Sequence, residues 1–166
     1  MRRGSSCLAW LILFLFALTV AYADEIHADH VVIVKSSHTM TLYTDGKILR
    51  EYKVALGRGP AEPKQKAGDH KTPEGHYVID SRNARSKFHL ALHISYPNAH
   101  DMTVAAQLHT AAGGMIEIHG LPNNFAWIGS QHRWIDWTDG CTAVTNPEIE
   151  EIWKLVPDGT PVDIHP

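Results

Sequence analysis

The chain has 166 residues, enough for one domain with its own core once a leader is set aside, and 44% of them are hydrophobic. Its formal net charge of -3 argues against nucleic acid or an anionic membrane as partner. That acidity deepens in the expected mature chain, which loses Arg2 and Arg3 and keeps 13 basic against 18 acidic side chains.

The first 23 residues read as a signal peptide. Arg2 and Arg3 form a positive n-region, residues 8–20 an apolar h-region, and Ala21-Tyr22-Ala23 an A-x-A cleavage site. The apolar run is short for a helix spanning about 30 Å of hydrocarbon, and no second one follows. The expectation is a single domain over residues 24–166, exported to the periplasm or cell envelope, without an integral membrane segment after cleavage, and monomeric.

The mature part opens with strand patterns. Residues 31–34 are a β-branched run, residues 39–44 alternate, Asp45-Gly46 marks a turn, and residues 48–56 form the return strand of an antiparallel meander. Residues 57–75 are polar and punctuated by Gly and Pro, which predicts a long loop, a frequent place for function. Strands are expected at 77–80 and 88–94, the second placing His89 and His93 on one face. A short helix is expected from Asp101, a strand at 115–119, and a loop at 121–136. Thr142 to Val144 reads as a short strand and Asn146-Pro147 as the cap and first turn of a helix through 155. Residues 160–164 read as a terminal strand paired in the central sheet. The fold class is mainly β, with one or two short helices packed on it.

Cysteine counting supplies the sharpest chemical inference. Cys7 would leave with the leader, so Cys141 has no internal partner in an oxidising compartment. A buried structural thiol is the bland alternative. Against it stands the spacing of Ile116-Glu117-Ile118-His119-Gly120 and Asp139-Gly140-Cys141-Thr142. Each reactive side chain ends or follows a strand beside glycine, where the backbone can approach closely and free N–H groups can face an oxyanion.

This layout resembles the L,D-transpeptidase catalytic domain, also called the YkuD family, over nearly the whole mature chain. The block from Trp137 to Asn146, the Val54-Ala55-Leu56-Gly57 strand end and the Lys71-Thr72-Pro73-Glu74-Gly75 turn carry the likeness. The resemblance implies a β-sandwich or barrel-like fold. It implies Cys141 as nucleophile and His119 as base, with the Gly120 carbonyl orienting the ring and the amides of Gly140 and Cys141 receiving the oxyanion. It further implies a peptidoglycan stem tetrapeptide as donor, an amine acceptor, and no cofactor. Asp139, Thr142, Trp137, Tyr96 and His93 are candidate substrate contacts. Two positions depart from the common pattern: Asp139 stands where many members carry histidine, and Ala143 where they carry arginine. A carboxylate at 139 disfavours a thiolate.

Three other readings compete: a hydrolase using water on the same bond class, a non-catalytic wall-binding module, and a metal carrier suggested by the 12 histidines. The pairs His27/His30 and His89/His93 share spacing, yet no zinc-type cluster with cysteine exists, and no metal is expected.

Overall fold

The computed structural model describes residues 26–166, so the expected leader lies outside the described residues. Strands β1 (His30–Val34), β2 (Thr39–Thr44) and β3 (Lys47–Lys53) form the expected meander. Its turn is set by Asp45 and Gly46, with φ of 50° and 70°, the left-handed pair that suits the twist of a two-residue hairpin. Val31 and Ile33 on β1 and Met40 and Leu42 on β2 are fully buried. The ladder of β3 stops at Lys53 rather than continuing to residue 56, and Val54, Ala55 and Leu56 turn into the core.

Strand β4 (Gly75–Ser86) is much longer than the 77–80 segment expected. Its second half, rich in Arg, Asn and Ser, has poor strand propensity but is held by pairing with β5 (His89–Ile94), where Arg82 opposes Leu92 and Asn83 opposes Ala91. Helix α1 (Ala99–Gln107) begins ahead of Asp101, because Asn98 is the cap and Asp101 reaches back to the Asn98 N–H at 2.9 Å. Strand β6 (Glu117–His119) pairs antiparallel with β5, and β7 (Thr142–Ala143) pairs parallel with β6. Between them, the expected loop contains a 3-10 segment (Ala126–Trp134) broken at Gly129.

Helix α2 (Asn146–Leu155) is capped by Thr145, not Asn146 as the Asn-Pro pair suggested. The Glu148 carboxylate accepts from both the N–H and the hydroxyl of Thr145, at 2.9 and 2.7 Å. That frees the Asn146 side chain, whose Oδ1 accepts from the Leu121 N–H at 2.8 Å and ties the helix start to the chain leaving β6. Ile149 and Ile152 bury the inner face of α2.

The terminal strand β8 (Pro161–His165) lies mid-sheet, as expected, and pairs parallel to β1 and antiparallel to β4. The eight strands run β3-β2-β1-β8-β4-β5-β6-β7. Ala55 and Ala143 then exchange two backbone hydrogen bonds, 3.0 and 2.8 Å, joining the segment after β3 to β7 and closing the sheet into a barrel-like form. This bridge covers part of the edge that β7 would otherwise present, and it draws residues 54–57 alongside the chain that carries Cys141. Among the described residues no helix is long and apolar enough to cross a membrane.

Candidate active site

His119 ends β6 and sits between Ala91 of β5 and Ala143 of β7. Those two small residues leave room for the imidazole, which is 1% exposed, stacks on Phe88 with centroids 4.3 Å apart, and meets Trp137 edge-on at 5.7 Å. Its Nδ1 lies 2.7 Å from the Gly120 carbonyl. Since a carbonyl only accepts, Nδ1 carries the proton and Nε2 presents a lone pair with no partner among the described hydrogen bonds. Position 120 needs glycine: a Cβ there would stand 2.7 Å from Asn146 Oδ1 and 3.0 Å from the Phe88 carbonyl. Burial drives the imidazole pKa down to about 4, against the opposing pull of the Gly120 hydrogen bond.

Cys141 immediately precedes β7. Ile118 pairs with Thr142, so one step back the thiol lies beside Glu117, on the same sheet face as His119 and diagonal to it. The thiol Sγ is 3.6 Å from the Met115 carbonyl. Burial pushes its pKa up to about 11, and the Glu117 and Asp139 charges add to the rise, while a backbone hydrogen bond at Glu117 and the Lys64 ammonium oppose it. Thiol and imidazole are therefore both neutral near pH 7.

Gly140 takes φ 125°, and a Cβ there would lie 2.6 Å from the Lys71 carbonyl. The Thr138 hydroxyl braces this turn, accepting from the Gly140 N–H at 3.1 Å and donating to the Cys141 carbonyl at 2.8 Å. The Gly140 amide is thus engaged, and of the two donors named from sequence only the Cys141 N–H has no partner among the described residues.

The remaining candidates divide. Trp137 walls His119 and also lines a 410 Å³ apolar cavity with Phe125, Ile128, Trp134 and Ile135. His93 bonds Asp80 at 2.6 Å and lines a 190 Å³ cavity with Glu117 and Met115, the residue whose carbonyl meets the thiol. Asp139 is exposed beside the turn, its Oδ1 2.9 Å from Arg58 Nη2 and 2.8 Å from His70 Nδ1. Tyr96 packs in the core, 3% exposed, tilted against Tyr77, its hydroxyl donating to the Ala112 carbonyl. Thr142 is buried in the β6–β7 ladder, 2% exposed and paired with Ile118.

Sequence reading passed over Phe88, Glu117, Arg58 and His70. The available signal for Arg58 was its place between two glycines in the long loop. A Cβ on Gly57 would stand 2.3 Å from the His70 carbonyl and 3.0 Å from Gly140 Cα, so three distant segments meet there. The shared-face histidines make separate hydrogen bonds, His89 with Glu150 and His30 with Asp163. Among the described residues no group of three or more His, Cys, Asp or Glu side chains is arranged to hold a metal.

Comparison with known proteins agrees with the fold. The family described as the L,D-transpeptidase catalytic domain, YkuD, matches residues 28–164. A protein of Escherichia coli (strain K12) named "Putative L,D-transpeptidase YafK" is 30% identical over 133 residues, covering 76% of this chain and 46% of that protein. The helical cell shape determining protein Pgp2 from Campylobacter jejuni superposes with a TM-score of 0.62 at 27% identity, over 86% of this chain and 49% of that one. An L,D-transpeptidase from Mycobacterium smegmatis, 16% identical, shares the fold with a TM-score of 0.55 over 84% of this chain and 59% of its own. The chain spans about half the length of the curated relatives it matches. With the family matched across nearly all the described residues, and a histidine and a cysteine sharing one face where β6 and β7 run side by side, the chain belongs to the L,D-transpeptidase catalytic domain family.

Proposed function

We propose that this chain is an exported cysteine acyl-transferase that acts on peptidoglycan stem peptides in the cell envelope, with residues 1–23 as its signal peptide. The observation that carries the reading is the orientation of His119: Gly120 holds the Nδ1 proton, so Nε2 is free to act as base on the face it shares with Cys141.

As Sγ attacks the carbonyl of the L-centre of the diamino acid at position three, its proton passes to His119 Nε2. The tetrahedral oxyanion takes the Cys141 N–H, and the Gly140 N–H if Thr138 releases it. Collapse breaks the bond to the terminal D-alanine, whose amine leaves with the proton from His119, and a thioester to Cys141 remains. An amine acceptor then resolves the thioester, giving a cross-link, a wall-attached protein or an exchanged D-amino acid; water would give hydrolysis. His93 and Trp137 flank the site as substrate contacts.

Intact-protein mass spectrometry with a tetrapeptide donor tests this. An adduct equal to the donor less D-alanine, localised to Cys141, is expected. No adduct, with turnover kept in Cys141→Ser, would overturn the nucleophile assignment. Peptidoglycan digests then separate the outcomes, dimers marking transfer and trimmed monomers hydrolysis.

A further inference from the structure

Next to the reacting pair lies a charge constellation that acyl transfer itself does not use. Arg58 Nη2 and His70 Nδ1 both approach the same oxygen of Asp139, at 2.9 and 2.8 Å, and approach each other at 3.5 Å. Asp139 Oδ2 and the remaining guanidinium N–H groups have no partner among the described residues. The backbone beneath is joined by hydrogen bonds and close approach. Arg58 N–H donates to the Thr138 carbonyl at 3.0 Å, Gly59 N–H to the His70 carbonyl at 2.8 Å, and Gly57 is packed on Gly140. The three side chains are thus fixed at their roots to the turn that delivers the thiol, while their tips are exposed, Asp139 to 71%.

We propose that Arg58 and Asp139, steadied by His70, form a subsite for an α-amino-acid head group, Arg58 taking its carboxylate and Asp139 its ammonium. This rests on the acyl-transfer reading and names what that site selects. A guanidinium with free N–H groups suits a carboxylate bidentately. An adjacent carboxylate would repel a simple anion, so the pair fits a group bearing both charges better than one bearing either. Exposed ion pairs are weakly held, and opening this one to admit a ligand costs little. The reach is also right: Asp139 and Cys141 are two residues apart, at most about 7 Å of chain. A three-methylene side chain rooted at the attacked centre spans that gap. Two sources offer such a head group: the far end of a diamino acid at position three of the donor, or a free amino acid arriving as acceptor.

The test compares tetrapeptide donors carrying meso-diaminopimelate, its side-chain carboxyl amide, or L-lysine at position three. Acylation of Cys141 is read by intact mass, and binding to the Cys141→Ser protein by calorimetry. If the donor supplies the group, the wild type prefers diaminopimelate by about tenfold, and Arg58→Ala removes that preference by weakening diaminopimelate alone. Arg58→Lys restores part of it, and Asp139→Asn weakens every donor with a free ammonium. If the acceptor supplies it, acylation shows no preference, but Arg58→Ala slows transfer to a free D-amino acid and not to its amide. Selective binding without any adduct would keep the subsite and remove the acyl-transfer reading. Arg58→Ala altering all donors and acceptors alike, or none, or calorimetry showing no preference together with the absence of any adduct, would overturn the subsite.

Discussion

Thiol–disulfide exchange with a small reagent such as dithiodipyridine, followed from pH 6 upward, reports the protonation state of Cys141. Its pKa is raised from 9.0 to about 11 by burial and by the Glu117 and Asp139 charges. At pH 8 an ordinary thiol of that reference value is about one-tenth ionised and Cys141 about one-thousandth, a hundredfold deficit. A more basic thiolate is also a better nucleophile, with a Brønsted slope of about 0.4–0.5, which returns roughly eightfold over two pK units. The net expectation is exchange about tenfold slower than the reference at pH 8, with the log rate climbing steadily to an inflection near 11. The inflection matters more than the absolute rate, because restricted access scales the whole curve without moving it. His119→Asn should leave this curve nearly unchanged, since the imidazole is neutral and its pKa is depressed to about 4. The same variant should cut acylation by a stem-peptide donor by more than about a hundredfold, the loss expected when a general base is removed. A rate plateau between pH 5 and 8 that vanishes in His119→Asn would rule out a neutral resting pair, because it would reveal a preformed thiolate–imidazolium pair.

Stability should fall in acid through His119. Its folded pKa is about 4 against an ordinary 6.5, so the unfolded chain takes up the proton first. The contribution is fully present above pH 6.5 and is lost as pH drops toward 4, up to about 3 kcal/mol. Urea unfolding at pH 7 and pH 4.5 should show a smaller acid loss in His119→Gln than in wild type; equal losses would mean other groups govern it. Thr138→Val should remove the brace on both Gly140 and Cys141, lowering stability by about 1–3 kcal/mol and slowing acylation, while Thr138→Ser keeps both. Equal rates in the two variants would show that the hydroxyl does not hold the turn.

The meander, the second helix and the two candidate reacting side chains are legible in the sequence, because they depend on information local to the chain. Alternation of Val, Ile and Thr writes β1 and β2, and the Asp45-Gly46 turn fixes their neighbour. His119-Gly120 and Gly140-Cys141 are legible because each needs glycine beside it for a close approach that the sequence displays directly. What surrounds them is set by contacts between distant segments. The second half of β4 has no strand signature and exists because β5 pairs with it. Asn146 looks like a cap, but Thr145 with Glu148 forms the cap and Asn146 braces the chain after His119. Tyr96 and Thr142 lie near the right segments in sequence yet face the core, since which side of a strand or turn is inward depends on pairing partners far along the chain. Arg58, His70 and Asp139 meet because barrel closure through Ala55 and Ala143 lays residues 54–58 against the cysteine turn. Local patterns select strands, turns and reactive groups; closing a sheet joins segments whose separation leaves no periodic trace, and there the charge around Cys141 is set.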